Sequence, residues 1–144
     1  MAISSYNRSG YLANIVSQKE LYADLDLFMP IHPNKKDIIP LTDIDAVKRS
    51  VRNIVLTNFG EKLFMPNFGG KVTDYLFENV SPFIAIALQS EIEEILRLHE
   101  RRIDNVRVDV SDRSDENTYD VTINFRVINT TETANVGFEL NRLR

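Results

Sequence analysis

The sequence predicts an α+β domain in which an antiparallel three-stranded β-meander is covered on one face by two main helices and one short helix. Two observations lead to this fold class. Up to about residue 99, apolar residues recur at spacings of three and four, whereas after residue 105 they alternate with polar residues. The first pattern is typical of helices with one buried face and the second of half-buried strands. A one-faced sheet needs a cover, which the helices supply.

The composition favours one globular domain. The chain has 144 residues and a net charge of -4, with 17 basic and 21 acidic residues mixed along it. No basic block is present that would neutralise nucleic-acid phosphates, and no apolar run approaches the ~20 residues of a membrane span. The lack of cysteine excludes disulfides and thiolate chemistry.

The N-terminal region is expected to behave differently from the rest. Residues 1–19 are polar and irregular with scattered aromatics, so we interpret them as an N-terminal extension or arm. Residues 20–144 are interpreted as the single α+β domain. The weak alternation over residues 21–28 predicts a strand that ends before Pro30, and it offers the meander a fourth strand.

The first main helix is expected to begin near Thr42, with Asp45 in the position of a capping-box acid. Its buried stripe is predicted to contain Ile44, Val47, Val51, Ile54 and Val55, and Gly60 is expected to close it in a left-handed conformation.

An irregular segment, residues 62–70, follows this helix. We expect Phe64, Met65 and Phe68 to pin it as a compact loop. Gly69 and Gly70 lack the flanking pattern of a phosphate-binding loop, so no phosphate site is expected there. A short helix is predicted after the loop, up to about Asn79.

The second main helix is predicted from Ser81, which can cap it, and Pro82, which suits a first turn. It has an apolar stripe with helical spacing, formed by Ile84, Leu88, Ile92, Ile95, Leu96 and His99. It is expected to stop at the charged hinge Glu100, Arg101 and Arg102. An acid and an arginine at an element boundary can pair through two hydrogen bonds and fix the chain direction.

Three strands are predicted after the hinge. Their alternating segments are 106–110, 119–127 and 136–140, and short polar turns separate them. The first and last strands of a meander are candidate edges, whose backbone groups another chain can extend. On the last strand, this edge is marked by Val136, Phe138 and Leu140.

No catalytic or cofactor site stands out. His32 and His99 are far apart and lack metal-ligand spacing, so neither a metal nor another cofactor is expected. Glycoside hydrolysis needs two carboxylates across a cleft. Glu78, Glu91 and Glu100 are candidates, but a chain with 21 acids always allows some pairing.

Five short motifs occur in an order that resembles one family. They are Leu21 to Asp26, Leu56 to Lys62, Pro66 to Gly69, Leu76 to Asn79 and Glu100 to Ile103. Together they resemble the baseplate wedge proteins of contractile-tailed phages, the gene-twenty-five-like family, and the similar component of the type VI secretion baseplate. The resemblance covers about residues 20–140. The family's hinge reads Glu-Pro-Arg, and here Arg101 replaces the proline.

This resemblance implies a structural subunit, not an enzyme, in the virion tail baseplate after synthesis in the host cytoplasm. It implies that Glu100, Arg101 and Arg102 contact the helical core bundle of other baseplate wedge proteins. It also implies that the edge at Val136, Phe138 and Leu140 accepts strands of the tail sheath protein and so templates sheath polymerisation. Tail tube or hub proteins are further candidate partners. A peptidoglycan hydrolase and the type VI secretion counterpart stay open as alternatives.

Overall fold

The computed structural model describes residues 22–26, 28–34, 36–128 and 132–143. The predicted arm, residues 1–19, and the boundary that follows it lie outside this part. The chain forms two compact units, the first ending at Asp43 and the second beginning at Ile44. In the described part, no helix has both the length and the apolar character that crossing a membrane requires.

In the first unit, strand β1 (Ala23–Leu25) pairs antiparallel with strand β2 (Pro40–Thr42). The predicted N-terminal strand therefore exists, but it is short and belongs to a separate two-stranded sheet instead of extending the meander. Its end has a local cause. The side chain of Asp26 accepts a 3.0 Å hydrogen bond from the Phe28 backbone, and this type of turn competes with strand pairing.

Helix α1 (Asp43–Leu56) presents the predicted stripe to the interior. Its buried residues are Ala46, Val47, Val51, Ile54 and Val55, whereas Ile44 is half-buried. The helix ends four residues before Gly60, so Gly60 does not close it as predicted. Gly60 instead has a φ of 83° inside the following loop, where its N–H donates to the Pro66 carbonyl at 2.9 Å.

Helix α2 (Val72–Leu76) and helix α3 (Pro82–His99) follow the loop. The Ser81 hydroxyl accepts a 3.3 Å hydrogen bond from the Ile84 backbone, as predicted for the cap of α3. The interior face of α3 consists of Ala85, Leu88, Ile92, Ile95 and Leu96.

The loop between α1 and α2 differs from its prediction. Phe64 is 98% exposed and Met65 is 49% exposed, so neither pins the loop. Phe68 alone does so, because its ring lies 4.8 Å from the ring of His99 and 3.9 Å from the ammonium of Lys62. Hydrogen bonds replace the expected apolar contacts.

Close backbone packing explains the two glycines of this loop. Gly69 has a φ of 96°, and a side chain there would collide with the Thr57 carbonyl. A side chain on Gly70 would overlap Ile95 on α3. These glycines let the loop lie against its neighbours, which is a packing role.

The sheet is the predicted three-stranded antiparallel meander. Its strands are β3 (Ile103–Arg113), β4 (Thr118–Val127) and β5 (Thr133–Asn141), in the order β3-β4-β5. The covered face of β4 is entirely buried, through Tyr119, Val121, Ile123, Phe125 and Val127. The opposite face is polar and open, as the alternation predicts. The Tyr119 hydroxyl accepts a 3.2 Å hydrogen bond from the Ser81 backbone and so joins β4 to the start of α3.

Candidate functional site

The charged hinge forms a sharp corner between α3 and β3. Glu100 donates its N–H to the Leu96 carbonyl at 2.9 Å, which completes the last helical turn. Its own backbone is already extended, with φ of -115° and ψ of 97°. The chain therefore enters β3 at Ile103, whereas the sequence predicts a start at residue 106. No linker separates the helix from the strand.

Glu100 and Arg102 form a bidentate pair at this corner. Arg102 Nε donates to Glu100 Oε1 at 2.8 Å, and Nη2 donates to Oε2 at 2.7 Å. The Arg102 backbone N–H also donates to Oε1, at 3.1 Å. This fork geometry fixes both side chains and the backbone between them. It is the arrangement that the sequence predicts for two of the three hinge residues.

A third residue, Ser50 on α1, completes the corner. Its hydroxyl donates to Glu100 Oε2 at 2.7 Å. Ser50 is not predicted from the sequence, because it lies 50 positions before Glu100 and no local pattern links the two residues. The corner thus joins α1, α3 and β3.

The carboxylate of Glu100 is buried, with 5% exposure, and it is charged. Burial raises the pKa of this carboxyl. The hydrogen bonds from Arg102 and Ser50 together lower it by more than burial raises it, so the pKa lies below the ordinary value. Glu100 is the one charged residue in the interior of the described part of the chain. The half-exposed guanidinium of Arg102 balances it at the surface.

Arg101 is placed differently from its neighbours. It is exposed, and it forms no ion pair within the described residues. It lines a cleft of about 540 Å³ beside the corner, together with Arg97, Glu100, Ile103, Asp104, Asn105 and Val106. The hinge therefore combines a fixed internal pair with one free surface cation.

The predicted edge residues Val136 and Phe138 are half-buried and Leu140 is buried. All three side chains point to the covered face, because they pair in register with Ile123, Val121 and Tyr119 of β4. What β5 offers outward is its backbone. In the described part of the chain, no strand pairs with its outer edge.

The corner and the edge strand are connected through the backbone. Ile128, which follows β4, donates its N–H to the Arg102 carbonyl at 2.8 Å. Val127 donates to the Glu132 carbonyl at 3.3 Å, just before β5 begins. The corner therefore lies at the end of the sheet where β5 begins, and the predicted edge residues Val136, Phe138 and Leu140 run from there toward the opposite end.

The acids considered for hydrolysis do not converge. Glu78 is exposed, Glu91 accepts a 3.0 Å hydrogen bond from the Lys71 backbone, and Glu100 is paired. His99 packs on Phe68. Across the described residues, no group of three or more histidines and acids could hold a metal ion.

Comparison with known proteins gives a consistent family. The family model of baseplate wedge protein gp25 matches residues 42–132, a range that contains the corner and ends just before β5. Baseplate wedge protein gp25 of Enterobacteria phage T4 is 37% identical over 117 residues, which cover 81% of this chain and 86% of that protein.

Solved structures with the same fold come from several systems. A Geobacter sulfurreducens protein, provisionally described as a tail lysozyme, is 27% identical with a TM-score of 0.62, covering 68% of this chain and 89% of that one. A chain of the type VI secretion baseplate complex, 16% identical, has a TM-score of 0.58 and coverages of 68% and 92%. A chain of the anti-feeding prophage baseplate, 17% identical, has a TM-score of 0.52 and coverages of 85% and 87%. The last two show similarity of fold alone.

Proposed function

This chain belongs to the baseplate wedge protein gp25 family, and from that premise we propose that it joins the inner baseplate of a contractile tail to the tail sheath and templates sheath polymerisation by β-strand addition. The proposed role is structural, and its place is the tail baseplate of a virion. The identity to the phage T4 protein favours a phage tail over the secretion-system counterpart, for which the likeness is one of fold.

The observation that carries the proposal is a rigid corner next to an open edge. The Glu100–Arg102 pair, held by Ser50, fixes how α3 meets β3. Arg101 then projects from a fixed support beside a cleft. A helical bundle with acidic side chains is a suitable partner for this surface. We therefore assign the contact with the other wedge proteins to Glu100, Arg101 and Arg102, of which Arg101 makes the direct contact.

The β5 edge supports strand addition better than the β3 edge does. β5 keeps one register with β4 over its full length, from Thr133 to Asn141. β3 has an irregularity between Asp104 and Arg107, and a bulge of this kind twists an edge away from further pairing. An unbroken edge is the better template for an extended segment.

The energetics suit a template that works only in an assembly. An added strand making about five hydrogen bonds gains roughly 1 kcal/mol net from each. Ordering the incoming segment offsets much of this gain. A single contact is therefore weak, and a ring of copies strengthens it because later contacts become intramolecular. Tail tube and hub proteins are further partners that such a position allows.

The alternative role as a peptidoglycan hydrolase, which the sequence leaves open, is also suggested by the description of the Geobacter sulfurreducens structure. A glycosidase general acid needs a raised pKa so that it stays protonated near neutral pH. The pKa of Glu100 is lowered, because a guanidinium and a hydroxyl hold its charged form. This argues for a structural carboxylate and against a catalytic acid.

The test blocks the β5 edge without unfolding the sheet. In an edge strand, adjacent residues direct their N–H groups alternately inward and outward, so Val136→Pro and Gly137→Pro remove one of each kind. The variant that removes the outward N–H should keep the thermal unfolding temperature of the wild type, and it is therefore the informative one. In tails assembled with it, we expect complete baseplates and tubes without sheath, seen by negative-stain electron microscopy.

A matched change on the other edge serves as the control. Ser111→Pro, on β3, is expected to leave sheath growth intact if the domain stays folded. Sheathed tails at wild-type frequency in the informative β5 variant would refute strand addition. For the wedge contact, Arg101→Glu should keep the fold and reduce the yield of complete baseplates, whereas Arg52→Glu, an exposed arginine on α1, should not.

A further inference from the structure

A second cleft lies where β3 begins, β4 ends and β5 begins. Its volume is about 670 Å³, and its polar lining consists of Lys48, Arg107, Arg126, Asn105, Asn124, Asn135 and Thr133. Lys48 reaches it from α1, and the other residues belong to the sheet. It is separate from the corner cleft, although Asn105 contributes to both.

The charge of this cleft is positive. Arg126 pairs with Asp104, with its Nη2 2.6 Å from Oδ2. Lys48 and Arg107 have no ion-pair partner within the described residues. Glu132 precedes β5 but does not line the cleft. The side-chain amide of Asn124 donates to Asp109 at 3.4 Å, and this one acid does not offset the two unpaired cations. Lys48 and Arg107, with the amides of Asn105 and Asn135, therefore form a surface suited to carboxylates, on a chain whose net charge is negative.

The opposite end of the open face has the opposite sign. Near the end of β5, Arg113 pairs with Asp120 at 2.6 Å and with Glu116 at 3.2 Å. Glu139 lies beside Asp120 in the register of β5 and adds to the negative field around Arg113. Arg142 follows β5 at this end, so Glu116, Asp120 and Glu139 outnumber the two arginines, Arg113 and Arg142. The sheet therefore carries a charge gradient along β5, positive at Thr133 and negative at Asn141.

This gradient gives a direction to an incoming strand. An added strand that continues the antiparallel order of the sheet runs opposite to β5, so its C-terminal end reaches Thr133. Resting on the proposed strand addition, we propose that the cleft selects and orients the partner: it binds an acidic segment that immediately follows the added strand. A partner strand in the reverse direction brings its acidic flank to the negative end and is disfavoured.

The test compares three peptides by NMR titration of the ¹⁵N-labelled full chain at low ionic strength. Each probe has nine alternating threonine and valine residues, the length of β5. One carries four glutamates after this strand, one carries four glutamates before it, and one carries four glutamines after it. All are added to millimolar concentration, which detects weak binding.

We expect the peptide with trailing glutamates to bind about fourfold more tightly than the other two, since the two unpaired cations each contribute roughly a factor of two. The advantage should fall as salt is added. The double variant Lys48→Gln, Arg107→Gln should no longer bind the peptide with trailing glutamates more tightly than the other two. The control Arg52→Gln, Lys71→Gln removes the same charge from exposed positions outside the cleft and should keep this preference.

Equal affinity of the peptides with trailing glutamates and trailing glutamines would overturn the role of the cleft while leaving strand addition standing. A preference for leading glutamates, or an advantage that survives in the Lys48→Gln, Arg107→Gln variant, would overturn it as well. If no peptide shifts the amides of Thr133 to Asn141, strand addition at β5 itself fails, and the orientation mechanism fails with it.

Discussion

Ser50 donates a 2.7 Å hydrogen bond to Glu100, although the two residues are 50 positions apart. This single contact joins helix α1 to the corner where α3 becomes β3. Without it, one oxygen of a buried carboxylate would depend on Arg102 alone. The relationship makes Ser50 a positioning residue for the corner, and it can be tested by itself.

Ser50→Ala is expected to lower the free energy of unfolding by about 1.5–3 kcal/mol, the usual effect of removing one hydrogen bond from a charged acceptor. Urea unfolding measures the change. Ser90→Ala is the matched control, because Ser90 is exposed and its hydroxyl bonds only to the Ile86 carbonyl of its own helix. An equal effect of both substitutions would show that Ser50 does not support the corner.

Substitution of the ion pair should affect stability as well as assembly. Removing Glu100 as Glu100→Ala leaves Arg102 without its acceptor and Ser50 without a bond, so we expect a loss of about 2–4 kcal/mol. Arg102→Lys should lose less, about 1–2 kcal/mol, because an ammonium cannot form the two-point fork. Chemical denaturation of both variants checks this order. A larger loss in Arg102→Lys than in Glu100→Ala would contradict the geometry.

The lowered pKa of Glu100 predicts a pH dependence of stability. A carboxyl whose pKa is lower in the folded state contributes stability that is fully present above its ordinary pKa of 4.5. This contribution is lost as the pH falls through the folded pKa. We therefore expect the stability advantage of the wild type over Glu100→Gln to be constant near neutral pH and to shrink below about pH 4.5.

Unfolding titrations of both proteins at a series of pH values measure this difference. Because Glu61 and Asp104 also have lowered pKa values, the wild type alone cannot isolate Glu100. The subtraction of the Glu100→Gln curve removes their contribution. If the stability advantage of the wild type over Glu100→Gln increased on acidification, the pKa of Glu100 would be raised. That result would support a role of Glu100 as a general acid.

The packing of the α1–α2 loop predicts a contrast between two glycines. Gly69→Ala should destabilise the protein by about 2–4 kcal/mol, because Gly69 has a φ of 96° and faces the Thr57 carbonyl. Gly137→Ala on β5 should change stability by less than about 0.5 kcal/mol, since the nearest atom to an added side chain is the Val121 carbonyl oxygen at 3.9 Å. Thermal unfolding of the pair tests the contrast. Similar values would show that the loop relaxes around the added methyl group.

The sequence by itself determined the elements of the second unit, since their patterns are local. The stripe of α3, its Ser81 cap and the alternation of β4 depend on residues a few positions apart. The Glu100–Arg102 pair could also be predicted from the sequence, because its members are two residues apart.

Predictions failed where the sequence pattern does not determine which neighbours a residue meets. Phe64 looks like a core residue, yet hydrogen bonds hold its loop and leave the ring in water. The N-terminal strand was recognisable, but its pairing with β2 was not.

The tertiary structure alone decided how distant residues meet. It placed Ser50 on Glu100 and gathered Lys48, Arg107 and Arg126 at one end of the sheet. Spacing along a chain sets the face on which a side chain lies. Only the packing of helices on strands sets which faces share a cleft, because burial fixes register and position between elements far apart in the chain.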